Sequence, residues 1–374
     1  MATLNLSPLV LNWAAGRIGL TLDSLADEFA PRRRELFLSG NLSVTQVEKV
    51  AAKTKTPFGF LFLQEPPAEI HRSIPDLRRI QFAEPLSQDF YDVLDDVIGK
   101  QEWFADYLKE LGAETLGFVG KFKGKTRLSP KVVAEDIKAT LGISTRDREE
   151  CGNFEEFFSM LYERIENCRI LIFKSGIVQS NTRRALSVSE FRGFALADPL
   201  VPIIFINGRD SESAWIFSLV HELAHIWIGE SGVSDISPAH NKSDKSVEAL
   251  CNKIAGEFLT PEDEFLRAWK QNDGDIHQLS RFFKVSKLVV ARRAFDLGKT
   301  SWSHYEQVAE ESKNKKGSGG NPYATIPVRN SKRFTQTLIR ATMTGHTMFR
   351  DAASLLNIRP DTVLELGKRM VGRV

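Results

Sequence analysis

His221, Glu222 and His225 stand in the string VHELAHIW, two histidines four residues apart with a glutamate directly after the first. On a helix, positions i and i+4 lie one turn apart on one face, so both imidazoles can reach a single ion at about 2.0–2.1 Å. Glu222 sits about 100° round from His221, close enough to meet a water at that ion without becoming a ligand. This is the spacing of a hydrolytic zinc site, with Glu222 as the general base. Two histidines leave a catalytic zinc one protein ligand short. Glu248, near the start of SVEALCNKIAGEFLTP, is the candidate third ligand; equally, a carboxylate in a first helical turn is favoured by the helix dipole with no metal at all. His240, in the Gly- and Ser-rich stretch 229–244, either donates to a developing oxyanion or is an ordinary loop histidine. Cys251, between apolar neighbours, reads as core.

These side chains need two packed helices and a floor. In AWIFSLVHELAHIWI (214–228) the apolar residues Ile216, Phe217, Val220, Leu223, Ala224 and Trp227 recur at helical intervals, and Asp210 or Ser211 suits the N-cap. Two histidines on so apolar a helix carry a desolvation cost unless a ligand offsets it. Val247, Leu250, Cys251, Ile254 and Phe258 give the second helix an apolar face, and Pro261 ends it. Short β-type runs at 169–173, 191–197 and 202–207 predict a small sheet before the motif helix, with 191–196 offering an open edge for main-chain pairing with an extended peptide.

The rest reads as helical. Short helices are expected over 9–18, 21–29, 32–38 and 44–53, followed by an apolar run, 58–63, that packs down as a seal before Pro66 and Pro67. Helical spacing returns at 89–111 and from Ser129 and Phe154, and again from Pro261 to Glu311. The expected fold class is therefore mostly α with a small β-sheet (α+β), divided into an N-terminal domain (1–68), a helical connector (69–165), the domain holding the motif (166–311), the linker SKNKKGSGGN (312–321) and a basic helical module (322–374).

Charge and composition narrow the function classes. The whole-chain charge of +2 hides an asymmetric tail: residues 313–374 hold twelve Lys or Arg against Asp351, Asp361 and Glu365. The N-terminus lacks the pattern of a secretory signal, and no apolar run approaches the 18 or so residues of a membrane span, so a cytoplasmic protein without a membrane partner is expected. Three widely spaced cysteines, Cys151, Cys168 and Cys251, provide neither a disulfide framework nor a CxxC knuckle, leaving His and carboxylate to hold any metal.

The run FRGFALADPLVPIIFINGRDSESAWIFSLVHELAHIWIGESGVSD, with VEALCNKIAGEFLTP after it, resembles the ImmA/IrrE family of metallo-endopeptidases. The resemblance implies a zincin-like core, with Zn2+ held by His221, His225 and Glu248, Glu222 as the catalytic residue, and regulated cleavage of a partner such as a transcriptional repressor. The start, LSPLVLNWAAGRIGLTLDSLADEF with KVAAKTKTPFGFLFLQEPP, is similar to the Xre-type helix-turn-helix that often precedes this peptidase domain, and the end resembles long members of the group. Such members look like regulators or antitoxins of bacterial gene pairs, which implies a DNA-binding alternative with a cognate toxin as partner. Base reading by the N-terminal module is put in doubt by APRRRELFLS, about two residues shorter than the usual turn and recognition helix, so protein docking is its rival role. In the C-terminal module Ala352 to Leu366 repeat a helix, a tight turn and a second helix beside Arg359, Lys368 and Arg369, and this reads either as a DNA contact or as a basic hairpin packed on the peptidase domain.

Overall fold

The computed structural model describes residues 3–67, 86–125, 127–234, 247–312 and 322–371. His240, the expected boundary near residue 70 and most of the expected linker lie outside them. The described residues divide into two compact units, one of 3–67 with 86–94 and one from residue 95 onward.

The first unit runs β1 (Thr3–Asn5), α1 (Pro8–Gly16), α2 (Leu22–Phe29), α3 (Arg34–Leu38), β2 (Asn41–Ser43) and α4 (Val44–Thr54). Its helices follow the expected apolar spacing, and Thr21 and Ser43 cap α2 and α4 by accepting from the N–H groups of Ser24 and Gln46. The antiparallel pair β1–β2 has no counterpart in the expectation, since three-residue strands carry too little pattern to register. Gly40, at φ +89°, turns the chain into β2 against the Leu6 carbonyl, where a Cβ would stand 2.0 Å from oxygen. The apolar run after Pro57 forms a short 3₁₀ helix over Phe58–Phe62 but is not the expected seal. Only Leu61 in it is buried; Phe58, Phe60, Phe62 and Leu63 are exposed.

The second unit takes in most of α5 (Gln88–Glu110), then α6 (Pro130–Leu141), α7 (Thr145–Glu150) and α8 (Phe154–Asn167). Strands β3 (Leu171–Ser175), β4 (Ile177–Val178), β5 (Asn181–Ala185), β6 (Gly193–Leu196) and β7 (Ile203–Asn207) precede α9 (Glu212–Ile228). After α9 come β8 (Gly232–Ser234), α10 (Val247–Leu259), α11 (Glu262–Gln271), α12 (Ile276–Phe283), α13 (Lys287–Asp296) and α14 (Trp302–Ser312). The chain closes with α15 (Pro322–Arg329), α16 (Lys332–Met343), α17 (Phe349–Leu356) and α18 (Pro360–Val371). The fold is mostly helical with small sheets, as the sequence predicts.

Four strands form the main sheet in the order β3-β7-β6-β8. β3 and β7 run parallel, and β6 is antiparallel to both of its neighbours. All five residues of β7 are buried, which is why its sequence IIFIN is continuous rather than alternating. β4 and β5 make a separate hairpin. The 191–196 segment does not present the expected open edge: β8, returning after α9, pairs with Gly193, Phe194 and Ala195 on the side away from β7. No helix among the described residues is long and apolar enough to cross a membrane.

Candidate metal centre

Helix α9 is apolar nearly all round, and from Ser218 to Ile228 every residue is buried. A helix of that kind belongs in the middle of a core rather than on its face. Sheet strands β6 and β7 lie on one side of it and α10, α6 and α8 on others. Ser211 takes the N-cap position without a side-chain cap bond; Asp210 instead accepts from the Ser211 N–H and pairs with Arg192 at 2.8 Å. At the C-terminus Gly229 adopts φ +78° and donates to the His225 carbonyl, while the N–H groups of Gly120 and Phe122 satisfy the carbonyls of Ile226 and Trp227. The Trp227 indole stacks on Phe118 and donates to Asp136 Oδ1 at 2.8 Å. Both ends of the helix are thus tied down.

Helix α10 is fixed in turn by a buried ion pair of Glu257 with Arg293, whose Nε also donates to the Thr260 carbonyl at 3.0 Å. Its first turn delivers Glu248 to the two histidines. His221 Nε2 lies 3.1 Å from His225 Nε2, and Glu248 places Oε2 3.2 Å from the first and Oε1 3.0 Å from the second. His221, Glu222 and His225 are wholly buried and Glu248 is 3% exposed. No described residue other than the imidazoles approaches the Glu248 oxygens within bonding distance.

A tetrahedron with bonds of 2.0–2.1 Å has edges of about 3.3 Å, so two imidazole nitrogens 3.1 Å apart, each with a Glu248 oxygen 3.0–3.2 Å away, suit one divalent ion. Among the described residues this is the group of histidine, cysteine and acidic side chains that could hold a metal. Burial alone would raise the Glu248 carboxyl, but hydrogen bonds and charge from both imidazoles bring it down to about 2; burial lowers His225. Both shifts favour the forms that bind a metal, an ionised carboxylate at Glu248 and a deprotonated imidazole at His225, although the first is deepest while the imidazoles still hold their protons. Cys251 is buried, and burial raises its thiol well above the usual range, consistent with core rather than ligand.

Glu222 lies against β6. A Cβ built on Gly193 would lie 2.7 Å from Glu222 Oε1 and 2.9 Å from the Phe205 carbonyl oxygen, so the carboxylate rests on a bare stretch of backbone. The wholly buried Asn207 positions that stretch: its Nδ2 donates to the carbonyls of Phe191 and Ser187, and its backbone N–H to that of Arg192. Sequence reasoning did not single out Gly193 or Asn207, although an amide closing the run IIFIN was the available signal.

Residues 169–295 match the family model for the IrrE N-terminal-like domain, Peptidase M78. The chain carries an M78 peptidase domain. Residues 330–369 match a domain of unknown function, DUF8813. No curated protein and no solved structure matches the chain. The M78 match spans β3 to α13 and so contains the whole His221, His225, Glu248 group.

Proposed function

We propose that the chain is a zinc-dependent endopeptidase whose M78 domain cleaves a specific regulatory partner protein, such as a transcriptional repressor. The observation that carries this reading is the buried His221, His225 and Glu248 group, with Glu222, next to the first histidine on the same helix, outside that group and against Gly193. A zinc ion held by those three side chains supplies Lewis acidity, lowering the pKa of a nearby water and polarising a peptide carbonyl. Glu222 accepts the proton of the attacking water and returns it to the amine nitrogen of the leaving peptide. The β6 backbone keeps that carboxylate in place through the transfer. Burial on every side strengthens these electrostatics by excluding bulk water. A cytoplasmic setting goes with this reading, supported by three free cysteines.

The test is Glu222→Gln on the full chain with its cognate partner. Cleavage should fall by a factor of about a thousand or more while zinc stays at one per chain, and unchanged cleavage would remove Glu222 as the base.

A DNA-binding regulator or antitoxin is the second reading. Its support is the basic C-terminal module, where α17 and α18 are joined through Asn357 at φ +55° in a helix–turn–helix arrangement with Arg359, Lys368 and Arg369 alongside. The N-terminal unit, with its resemblance to Xre-type domains, is the other candidate for that contact. A gel shift on the chain's own promoter, with and without residues 322–374, separates the two modules: a shift lost on truncation belongs to the C-terminal module, and one that persists belongs to the N-terminal unit.

A further inference from the structure

Strand β8 begins three residues beyond Gly229, which ends the motif helix, and folds straight back along β6. Gly193 pairs with Ser234, Phe194 with Val233 and Ala195 with Gly232, and the Ser231 hydroxyl accepts from the Ala197 N–H at 2.9 Å, extending the contact to the end of the strand. Val233 is wholly buried. The paired stretch is the one that touches the site, since Gly193 is the residue on which the Glu222 carboxylate rests. β7 holds the opposite side of β6 over the same residues. No main-chain edge of β6 is therefore left for another strand, and His221, Glu222 and His225 expose no surface.

An extended peptide gains most of its binding from main-chain pairing with a sheet edge, and the β6 edge beside Glu222 is where such pairing would carry a scissile bond past the base. We propose that β8 is a built-in competitor for that edge: the chain's own residues 232–234 occupy the position of a substrate strand, and cleavage requires them to leave it. This rests on the reading of the site as a peptidase. Among the described residues the strap makes three pairs and one side-chain bond, and its first pair lies only a few residues from α9. Tethering at that distance gives it a high effective concentration, so a substrate displaces it only with contacts of its own elsewhere. Selectivity for one partner follows without any specificity pocket at the metal group.

The experiment locks and loosens the strap in the full, zinc-loaded chain. In Ala195→Cys/Gly232→Cys the two residues face each other across the strands, and oxidation ties β8 down, verified by mass. With unfolded casein as the probe, the oxidised form should cleave at least ten-fold more slowly than the reduced form and should lose its zinc to EDTA more slowly. Val233→Ser, which needs no cross-link, should cleave casein and release zinc several-fold faster than the parent. Equal cleavage by oxidised and reduced forms overturns the proposal, as does equal zinc release where neither form cleaves, or a folded Val233→Ser indistinguishable from the parent. Slower zinc release on oxidation without cleavage by any form keeps the strap and instead removes the peptidase reading on which the substrate role rests.

Discussion

At the scale of single residues, the site depends as much on an absent side chain as on those present. Glu222 keeps its place because Gly193 contributes no Cβ, and a methyl there would meet Oε1 at 2.7 Å and the Phe205 carbonyl oxygen at 2.9 Å. β6 is paired on both sides and cannot retreat, so the carboxylate must move. Gly193→Ala should lower kcat/KM by about a hundred-fold with zinc content unchanged, the scale of loss that an ångström of misplacement produces. Glu248→Ala acts differently: it removes one of three ligands and leaves two buried imidazoles facing each other, so metal analysis after gel filtration should find the zinc gone. The two histidines were legible from spacing because a helix fixes i and i+4, whereas Glu248 stood out from other helix-start carboxylates only through the family resemblance. Gly193 was not, because its role is set by the sheet register and by a contact with a residue 29 positions later in the chain.

At the scale of elements, the long periodic stretches declared themselves and the short ones did not. Helix α9 and the strand ahead of it could be placed from apolar spacing, whereas β8 is three residues of no particular pattern whose pairing is decided by where the end of α9 drops the chain. The same limit hid the environment of Lys174 on β3. Its ammonium lies 3.5 Å from the Trp215 ring centroid and 4.9 Å from that of Phe158, joining the sheet to the first turns of α9 and α8. Burial lowers its pKa to about 8, against the opposing pull of Glu212. Below that pH both folded and unfolded chains hold the proton; above it the folded chain releases it while the unfolded chain keeps it to about 10.4. The unfolded state therefore binds more protons across the window, and stability contributed by this residue rises from pH 8 to 10. Urea unfolding of the parent against Lys174→Met at pH 7.5, 9 and 10 checks the sign: the difference between the two should shrink as pH rises.

On the scale of the whole molecule, the DUF8813 match is not an independent appendage to the peptidase domain. Its first helix, α16, is capped by Ser331, whose hydroxyl donates to Glu166 Oε1 at 2.6 Å, and the Arg333 N–H donates to the other oxygen at 3.1 Å. Glu166, at the end of α8, is buried, and burial raises its pKa against the lowering effect of these bonds. Phe334 completes the joint by packing on Phe104, Trp103 and Phe173. Glu166→Ala leaves Ser331 and the helix N-terminus without their acceptor and should cost about 1–3 kcal/mol, read as earlier proteolytic cleavage within 330–369 than within the M78 domain. Metal removal should act more broadly. Zinc at a hundred times its dissociation constant stabilises the folded chain by about 2.7 kcal/mol, so EDTA should lower Tm by roughly 3–5 °C, and Glu248→Ala should show no such response.

The burial of α9 on all sides also governs what mutational tolerance can reveal. Leu219, Val220 and Ile226 are as inaccessible as His221, Glu222 and His225, so a saturation scan scored on abundance would return 218–228 as one unbroken block of intolerance. What separates Glu222 from that block is the one replacement that keeps its volume: Glu222→Gln should accumulate as folded protein and yet fail in a proteolysis score, whereas changes at Leu219, Val220 or Ile226 should lower both scores together.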